Sequence, residues 1–374
     1  MNPHGDDSAH RSAPGAEPES RVAALADVEE WKARKSYPST LLAGGPVFGV
    51  ARQLPSGGWE LQSYFSGLAP QDARDSLAGL LRALAAEQTT DQAEYLAAAD
   101  RLDNGEADEL TVRGARYRVV RAERFIRMGP DGPEPPRATD PDPAPGPGRS
   151  GDPVAATDPA TGWVIDPAPP GSSEGIRDAE LRTALRRSEA VPPQVREDSR
   201  TAARTHPGTL LLPATFMTAE REGRRWRPHS TGTAATPREA RESLAVHLRV
   251  LVPWQQDLTA AEHEAYKRAA DRLDAEQPDE LDVAGRHFRI VRVERLVRTG
   301  PEGPEGPRPS DLDALPTEAA ADRRLPEQGR PTEDDGPAES PGAAEADAST
   351  QRFMDLFEAE RRRRDSLRDG VQRS

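Results

Sequence analysis

Two series of arginines spaced three residues apart are the most conspicuous chemical feature of the sequence. The first runs through "RYRVVRAERFIR" and the second through "RHFRIVRVERLVR". Planar guanidinium groups hydrogen-bond carboxylate and phosphate oxygens in pairs, so such strands could bind an anion or follow a nucleic-acid backbone. The candidate anion-binding residues are Arg118, Arg121, Arg124, Arg127, Arg289, Arg292, Arg295 and Arg298.

The charge around these arginines argues against nucleic acid. Residues 40–137 contain eleven basic and fourteen acidic side chains, and residues 209–308 contain sixteen of each. A nucleic-acid-binding domain normally has a clear positive excess. A step of three also alternates between the faces of a strand, so one series cannot form a single surface without a bulge. The alternative is a strand face joined by salt bridges, with Glu123 and Glu294 as acidic partners.

The other polar residues do not form a recognisable catalytic or metal-binding pattern. The chain has no cysteine, which excludes thiolate ligands and cysteine nucleophiles. The acidic run from Asp100 has Leu102 where a calcium loop needs an oxygen ligand and Thr111 where it needs a glutamate. The histidines lack zinc spacing, and neither a P-loop nor a GxSxG elbow is present. We therefore predict no metal site and no cofactor, and the sequence leans away from an enzyme.

The arginine series belong to an internal repeat. The stretch "AADRLDNGEADELTVRGARYRVVRAERFIRMGP" from Ala98 matches "AADRLDAEQPDELDVAGRHFRIVRVERLVRTGP" from Ala269. Upstream, "YPSTLL" matches "HPGTLL", and Trp59 matches Trp226. Even the Gly/Pro loops that close the two stretches match, which favours a shared structure over a free linker. We interpret the chain as a tandem duplication.

Each repeat is expected to be a small αββααββ unit of the α+β class. An opening helix ends before "YP" or "HP", because proline disfavours the helical conformation in the preceding residue. Two hairpins with β-branched strands enclose a helical pair whose leucines recur at a spacing near 3.6. In the second copy, Thr236 and Glu239 have the spacing of a capping box.

Composition divides the rest of the chain. The acidic, proline-rich stretch after the second repeat buries too little apolar surface to fold, and the N-terminus is similar. The expected organisation is a disordered N-terminus (1–19), a first unit (20–137), a Pro/Gly-rich connector with a short helix (138–191), a second unit (192–311), a disordered acidic tail (312–350) and a short amphipathic helix (351–370).

The C-terminal helix is the best candidate for contact with a partner. Phe353, Leu356 and Phe357 have the spacing of one helical face and precede a run of four arginines. Such a tethered helix folds into a groove of a protein partner or back onto its own chain. The alternative is a weak helix without a binding role.

Several stretches, including "GGPVFGVAR", "DELTVRGARYRVVRAERFIRMGPDGPEPPR" and "RIVRVERLVRTGPEGPEGPRPSD", resemble an actinobacterial family catalogued only as a domain of unknown function. Some of its members carry the label PE-PGRS family protein. The resemblance covers about 20–312 and implies no activity, cofactor or site residue.

The function expected from the sequence is that of a non-enzymatic interaction or scaffold protein. Binding of nucleic acid or another anion by the arginine strands is the alternative, and an unrecognised enzyme would require a deep polar pocket. Neither a membrane span nor a signal peptide is expected, so the predicted location is cytoplasmic.

Overall fold

A computed structural model describes residues 18–62, 65–87, 91–104, 107–143, 158–166, 172–188, 191–313 and 350–364. The predicted disordered N-terminus lies almost entirely outside these residues, as does the acidic tail between 314 and 349.

The elements up to the connector are α1 (Pro18–Ser36), β1 (Ser39–Leu42), β2 (Val47–Gln53), β3 (Trp59–Leu61), α2 (Pro70–Glu87), α3 (Gln92–Asp103), β4 (Glu109–Val112), β5 (Ala115–Gly129) and β6 (Gly132–Pro133). The connector contributes β7 (Val164–Ile165) and α4 (Ser172–Arg187).

The remaining elements are α5 (Pro193–Thr205), β8 (Gly208–Glu222), β9 (Arg225–Ala234), α6 (Pro237–Val246), a π-helical turn (His247–Leu251), α7 (Val252–Gln255), α8 (Ala260–Glu276), β10 (Glu280–Val283), β11 (Arg286–Gly300) and β12 (Gly303–Pro304). Residues 350–364 form a further helix, which we call the C-terminal helix. The fold is α+β, as expected.

All the described strands belong to one antiparallel sheet, whose main order is β7-β3-β2-β5-β11-β8-β9. The two long strands β5 and β11 are neighbours at its centre. Arg124 lies opposite Arg295, and Phe125 lies opposite Glu294. Both arginine series therefore run through the middle of the sheet.

Two hydrophobic cores lie between the sheet and its helices, one in each half. The first contains Phe48, Leu77, Tyr95, Leu102 and Val119, which join β2 and β5 to α2 and α3. The second contains Phe216, Leu244, Tyr266, Leu273 and Ile290, which join β8 and β11 to α6 and α8. The residue types correspond almost one to one.

A third cluster covers the centre of the sheet. Phe125 and Leu296 of the central strands pack against Leu181 and Leu185 of α4 and against Val191. The short helix predicted within the connector therefore packs on the sheet as α4.

Local sequence determines several element ends. The Thr236 side chain accepts a hydrogen bond from Glu239 N at 3.2 Å and caps α6, while Thr259 and Glu262 form a capping box on α8. Pro253 has no N–H for the helical ladder, and the π-helical turn precedes it.

Some features differ from the expected αββααββ pattern. The first long strand is divided into β1 and β2 by Gly44 and Gly45, both with positive φ. The corresponding strand β8 is continuous and has a bulge opposite Val293 of β11. The π-helical turn and the two-residue strands β6 and β12 have no clear sequence signal. Among the described residues, no helix combines the length and apolarity needed to cross a membrane.

Candidate functional site

The candidate arginines lie on both faces of the sheet and are mostly buried. Phe125 contacts the helical layer, so Arg121 and Arg127, in step with it along β5, face the helices. Arg292 and Arg298 do the same on β11. The opposite face carries Arg118, Arg124, Arg289 and Arg295. Six of the eight are at most 8% exposed, and Arg118 and Arg292 are half-buried.

On the helical face, Arg121 is the start of a buried ionic network. It donates to Glu123 at 2.7 Å and to Asp311 at 2.8 Å. Glu123 also accepts from Arg308 at 2.8 Å, and Arg308 in turn donates to Glu305 at 2.6 Å. The network joins β5 to residues that follow β12.

A second network has the same pattern around Arg292. This arginine contacts Glu294 at 2.7 Å and Asp140 at 3.1 Å. Glu294 also pairs with Arg137, which donates to Glu134 at 2.6 Å. This network is larger than the first, because Arg127, Arg177, Glu30 and Glu180 join it from β5, α1 and α4.

The charges within these networks determine the protonation of the buried carboxylates. Burial alone raises the pKa of Glu123, but Arg121 and Arg308 outweigh it and bring the pKa to about 2. In the second network, burial outweighs the neighbouring Arg137, and the pKa of Glu134 is raised. The pKa values of these two carboxylates are therefore shifted in opposite directions.

In each network, two of the acids come from a segment that crosses to the other half of the sheet: Glu305 and Asp311 in the first network, and Glu134 and Asp140 in the second. We call residues 129–140 and 300–311 the two arms. In the first arm, Glu134 O accepts a hydrogen bond from Arg292 N of β11 at 3.0 Å. In the second arm, Glu305 O accepts from Arg121 N of β5 at 2.9 Å. The repeated Gly/Pro loops are thus the turns that begin these arms.

Each arm turn packs against a tryptophan of the other half. A Cβ on Gly132 would lie 2.7 Å from Trp226 Nε1, and one on Gly303 would lie 2.5 Å from Trp59 Nε1. Arg289 lies over Trp226 at 5.0 Å from the ring centre and donates to Pro133 O at 2.9 Å. Likewise, Arg118 lies over the Trp59 ring and donates a hydrogen bond to Pro304 O.

On the face opposite the helices, Arg124 and Arg295 differ in their partners. Arg295 forms a bidentate pair with Asp158, at 2.6 and 2.9 Å. Arg124 donates only to the carbonyls of Gly45 and Gly44, at 3.1 and 3.4 Å. The other seven candidate arginines each pair with a carboxylate, whereas Arg124 has none among the described residues.

The clefts are small and lie beside the second arm. One, of 360 Å³, is lined by His206, Arg118, Asp108, Glu109 and Glu302 among others. Burial lowers the pKa of His206, so its imidazole is neutral at pH 7. A neighbouring cleft of 220 Å³ includes Trp59 and Arg116. In the described part of the chain, no group of three or more acidic or histidine side chains could hold a metal ion.

The C-terminal helix lies on the second half of the protein. Phe353 contacts the Trp254 ring at 5.2 Å between centres, and the buried Glu360 pairs with Arg249 at 3.4 Å. Phe353 and Leu356 are half-buried, whereas Met354 and Phe357 are each 44% exposed. Of the three predicted partner contacts, Phe357 is thus the one most available.

A second group of exposed apolar side chains was missed by the sequence reasoning. Leu25, Val28 and Trp31 on α1 are 59%, 48% and 64% exposed. Their three-residue spacing places them on one side of the helix, while Glu30 and Ala33 face the protein. The spacing is visible in the sequence, but an apolar stripe is equally expected of a buried face, so it does not indicate exposure.

Comparisons with known proteins give a family without an assigned activity. No curated protein matches the chain, and no solved structure matches it. The model of a family of unknown function, DUF5954, matches residues 20–314, which include both central strands and both arms. The chain therefore belongs to the DUF5954 family.

Proposed function

We propose that this protein is a non-enzymatic interaction or scaffold protein that binds a protein partner through apolar side chains displayed on its helices. The observation that carries the proposal is the exposure of Met354 and Phe357 on the C-terminal helix, together with Leu25, Val28 and Trp31 on α1. Grouped, exposed apolar side chains on helices are typical of protein contact sites.

We further propose that the scaffold arose by tandem duplication, with units at 20–137 and 192–311. Corresponding residues support this: Arg124 lies opposite Arg295, and the two arms make corresponding hydrogen bonds to β11 and β5. In this proposal the two units share one sheet, and the cytoplasmic location expected from the sequence is retained.

The alternative of nucleic-acid binding by the arginine strands receives less support from the geometry. A phosphate backbone would have to compete with internal carboxylates for Arg121 and Arg292, which already hold two each. The arginines contribute instead to the joining of the two halves.

Partner capture by a photoreactive side chain at the exposed position 361, one helical turn after Phe357, tests the proposal. The double variant Met354→Glu, Phe357→Glu should abolish a specific crosslink formed in cell extract, because charged side chains cannot enter an apolar groove. The matched control is Gln351→Glu, Ala359→Glu, which adds the same charge at exposed positions of the same helix.

A crosslink that persists in the double variant would contradict a role for the C-terminal helix. The same design applied to α1, with Leu25→Glu and Trp31→Glu, tests the second surface. If neither helix forms a specific crosslink, the interaction proposal fails.

A further inference from the structure

Arg124 is a buried cation to which the described residues supply no carboxylate. It is 6% exposed, and its hydrogen bonds go to two backbone carbonyls. The described residues give its Nη1 atom no hydrogen-bond partner. Its neighbour across the central strand pair is another cation, Arg295, which disfavours its charge further. A buried charge without a partner destabilises the folded protein.

The corresponding position in the other half shows what such a guanidinium binds. Arg295 likewise donates to a backbone carbonyl, that of Pro213, at 2.8 Å. Its guanidinium group also donates hydrogen bonds to both carboxylate oxygens of Asp158, and its Nη1 donates a further one to Phe65 O at 3.3 Å. Compared with Arg295, Arg124 therefore lacks one bidentate carboxylate.

The loop beside Arg124 leaves space for such a group. Gly44 and Gly45 have φ of +76° and +97°, which side chains other than glycine rarely adopt. A Cβ on Gly45 would meet no heavy atom within 4 Å, and one on Gly44 would lie 3.6 Å from Arg124 Nη2. No side chain from this loop fills the space at the guanidinium.

A second unsatisfied polar group faces the same side of the sheet. Thr215 of β8 is 4% exposed, and its Oγ1 has no hydrogen-bond partner. Thr215 lies opposite Val293 of β11 in the sheet. Val293 packs in one cluster with Ala43, which precedes Gly44. A hydroxyl donor and a guanidinium are therefore both available on this face.

We propose that Arg124 binds the carboxylate of a ligand, held in a bidentate pair as Asp158 is held by Arg295. The ligand carboxylate supplies the charge that Arg124 lacks, and the Gly44–Gly45 loop forms the wall of the site. The source is a small carboxylic acid or an acidic side chain of another polypeptide, and the chemistry is the same for both.

The test uses the full-length protein and two probes at constant ionic strength: acetate, and a peptide with the sequence of residues 158–166. We expect carboxylate to stabilise the fold relative to chloride. A dissociation constant on the order of 10 mM for acetate would raise the folding equilibrium constant about 11-fold at 100 mM. The Nε–H resonance of Arg124 should shift in a saturable manner.

Three variants provide the controls. Arg124→Met should fold in chloride and lose the response, whereas Arg124→Lys, which keeps the charge without the planar fork, should weaken binding about tenfold. Asp158→Asn leaves Arg295 without its carboxylate and should add a second binding event.

Each outcome decides the question. A response to the peptide alone, lost when its Asp is replaced by Asn, supports the proposal and identifies a polypeptide source. A response to acetate supports a small acid. An equal response in Arg124→Met, or no shift of the Arg124 resonance with either probe, would overturn it.

Discussion

At the scale of single residues, His247 shows how burial changes a titration. It lies in the π-helical turn, 6% exposed, with its ring edge-to-face against His229 at 4.4 Å. Its Nδ1 has no hydrogen-bond partner. Burial is the main reason that its pKa falls from 6.5 to about 4, and His229 and Arg286 lower it further.

The lowered pKa of His247 predicts a loss of stability in mild acid. The imidazole of His247 takes up a proton near pH 6.5 in the unfolded chain but only near pH 4 in the folded protein. Its contribution to folding stability is therefore complete above pH 6.5 and is lost as pH falls towards 4. The loss amounts to about 3 kcal/mol. Urea unfolding at several pH values should show that the free energy of unfolding depends less steeply on pH in His247→Gln than in the unchanged protein. The exposed His263 provides the control, and an unchanged slope in His247→Gln would contradict the prediction.

A buried carboxylate in the first network has a larger effect on stability. Glu123→Gln should destabilise the protein by about 3–5 kcal/mol at pH 7, because Arg121 and Arg308 lose a shared counter-charge in a buried site. Chemical denaturation measures this. The matched control is Glu197→Gln, whose pair with Arg200 is exposed and should cost at most about 1 kcal/mol. Similar costs for the two variants would show that the network contributes little.

At the scale of elements, the arms depend on two glycine turns. Gly132 and Gly303 have φ of +122° and +115°, and each packs directly against an indole. A methyl group at either position would both strain the backbone and displace the tryptophan of the opposite half.

Gly132→Ala and Gly303→Ala should therefore each cost about 2–5 kcal/mol in the free energy of unfolding. Gly57→Ala is the control, because Gly57 has φ of +95° but open space around its Cα, so only the backbone strain of about 1–3 kcal/mol remains. If all three substitutions cost the same, contact with the tryptophans contributes nothing.

The sequence predicts most of the elements but not how they combine. Local signals sufficed for the helices and hairpins, because capping residues, periodic leucines and glycine turns act over a few positions. The arginines were the opposite case: their spacing indicated alternating faces, yet Arg121 and Arg292 each pair with an aspartate of an arm more than 100 residues away in sequence. That Asp158 pairs with Arg295 and not with Arg124 is indicated by no local pattern.

At the scale of the whole molecule, the arms connect the two halves in both directions. Each half supplies the acids that pair with the other half's central strand, so neither network is complete in one half alone. Unfolding of one half would leave buried charges of the other without partners.

We therefore expect one cooperative unfolding transition. In protein labelled with 5-fluorotryptophan, the ¹⁹F signals of Trp59, Trp226 and Trp254 should lose intensity at the same urea concentration. Trp59 and Trp226 report on the two arm contacts, and Trp254 reports on α7. Separate midpoints for Trp59 and Trp254 would show that the halves unfold independently.

The reciprocal arms also have a consequence for biosynthesis. Pro133, whose carbonyl accepts from Arg289, is synthesised 156 residues before that arginine. At about 5–20 residues per second, the first half waits roughly 8–30 s for the strand that completes it. During this interval Glu134 and the edge of β5 are exposed on the nascent chain, so the time of greatest risk of aggregation falls in the middle of translation rather than after release.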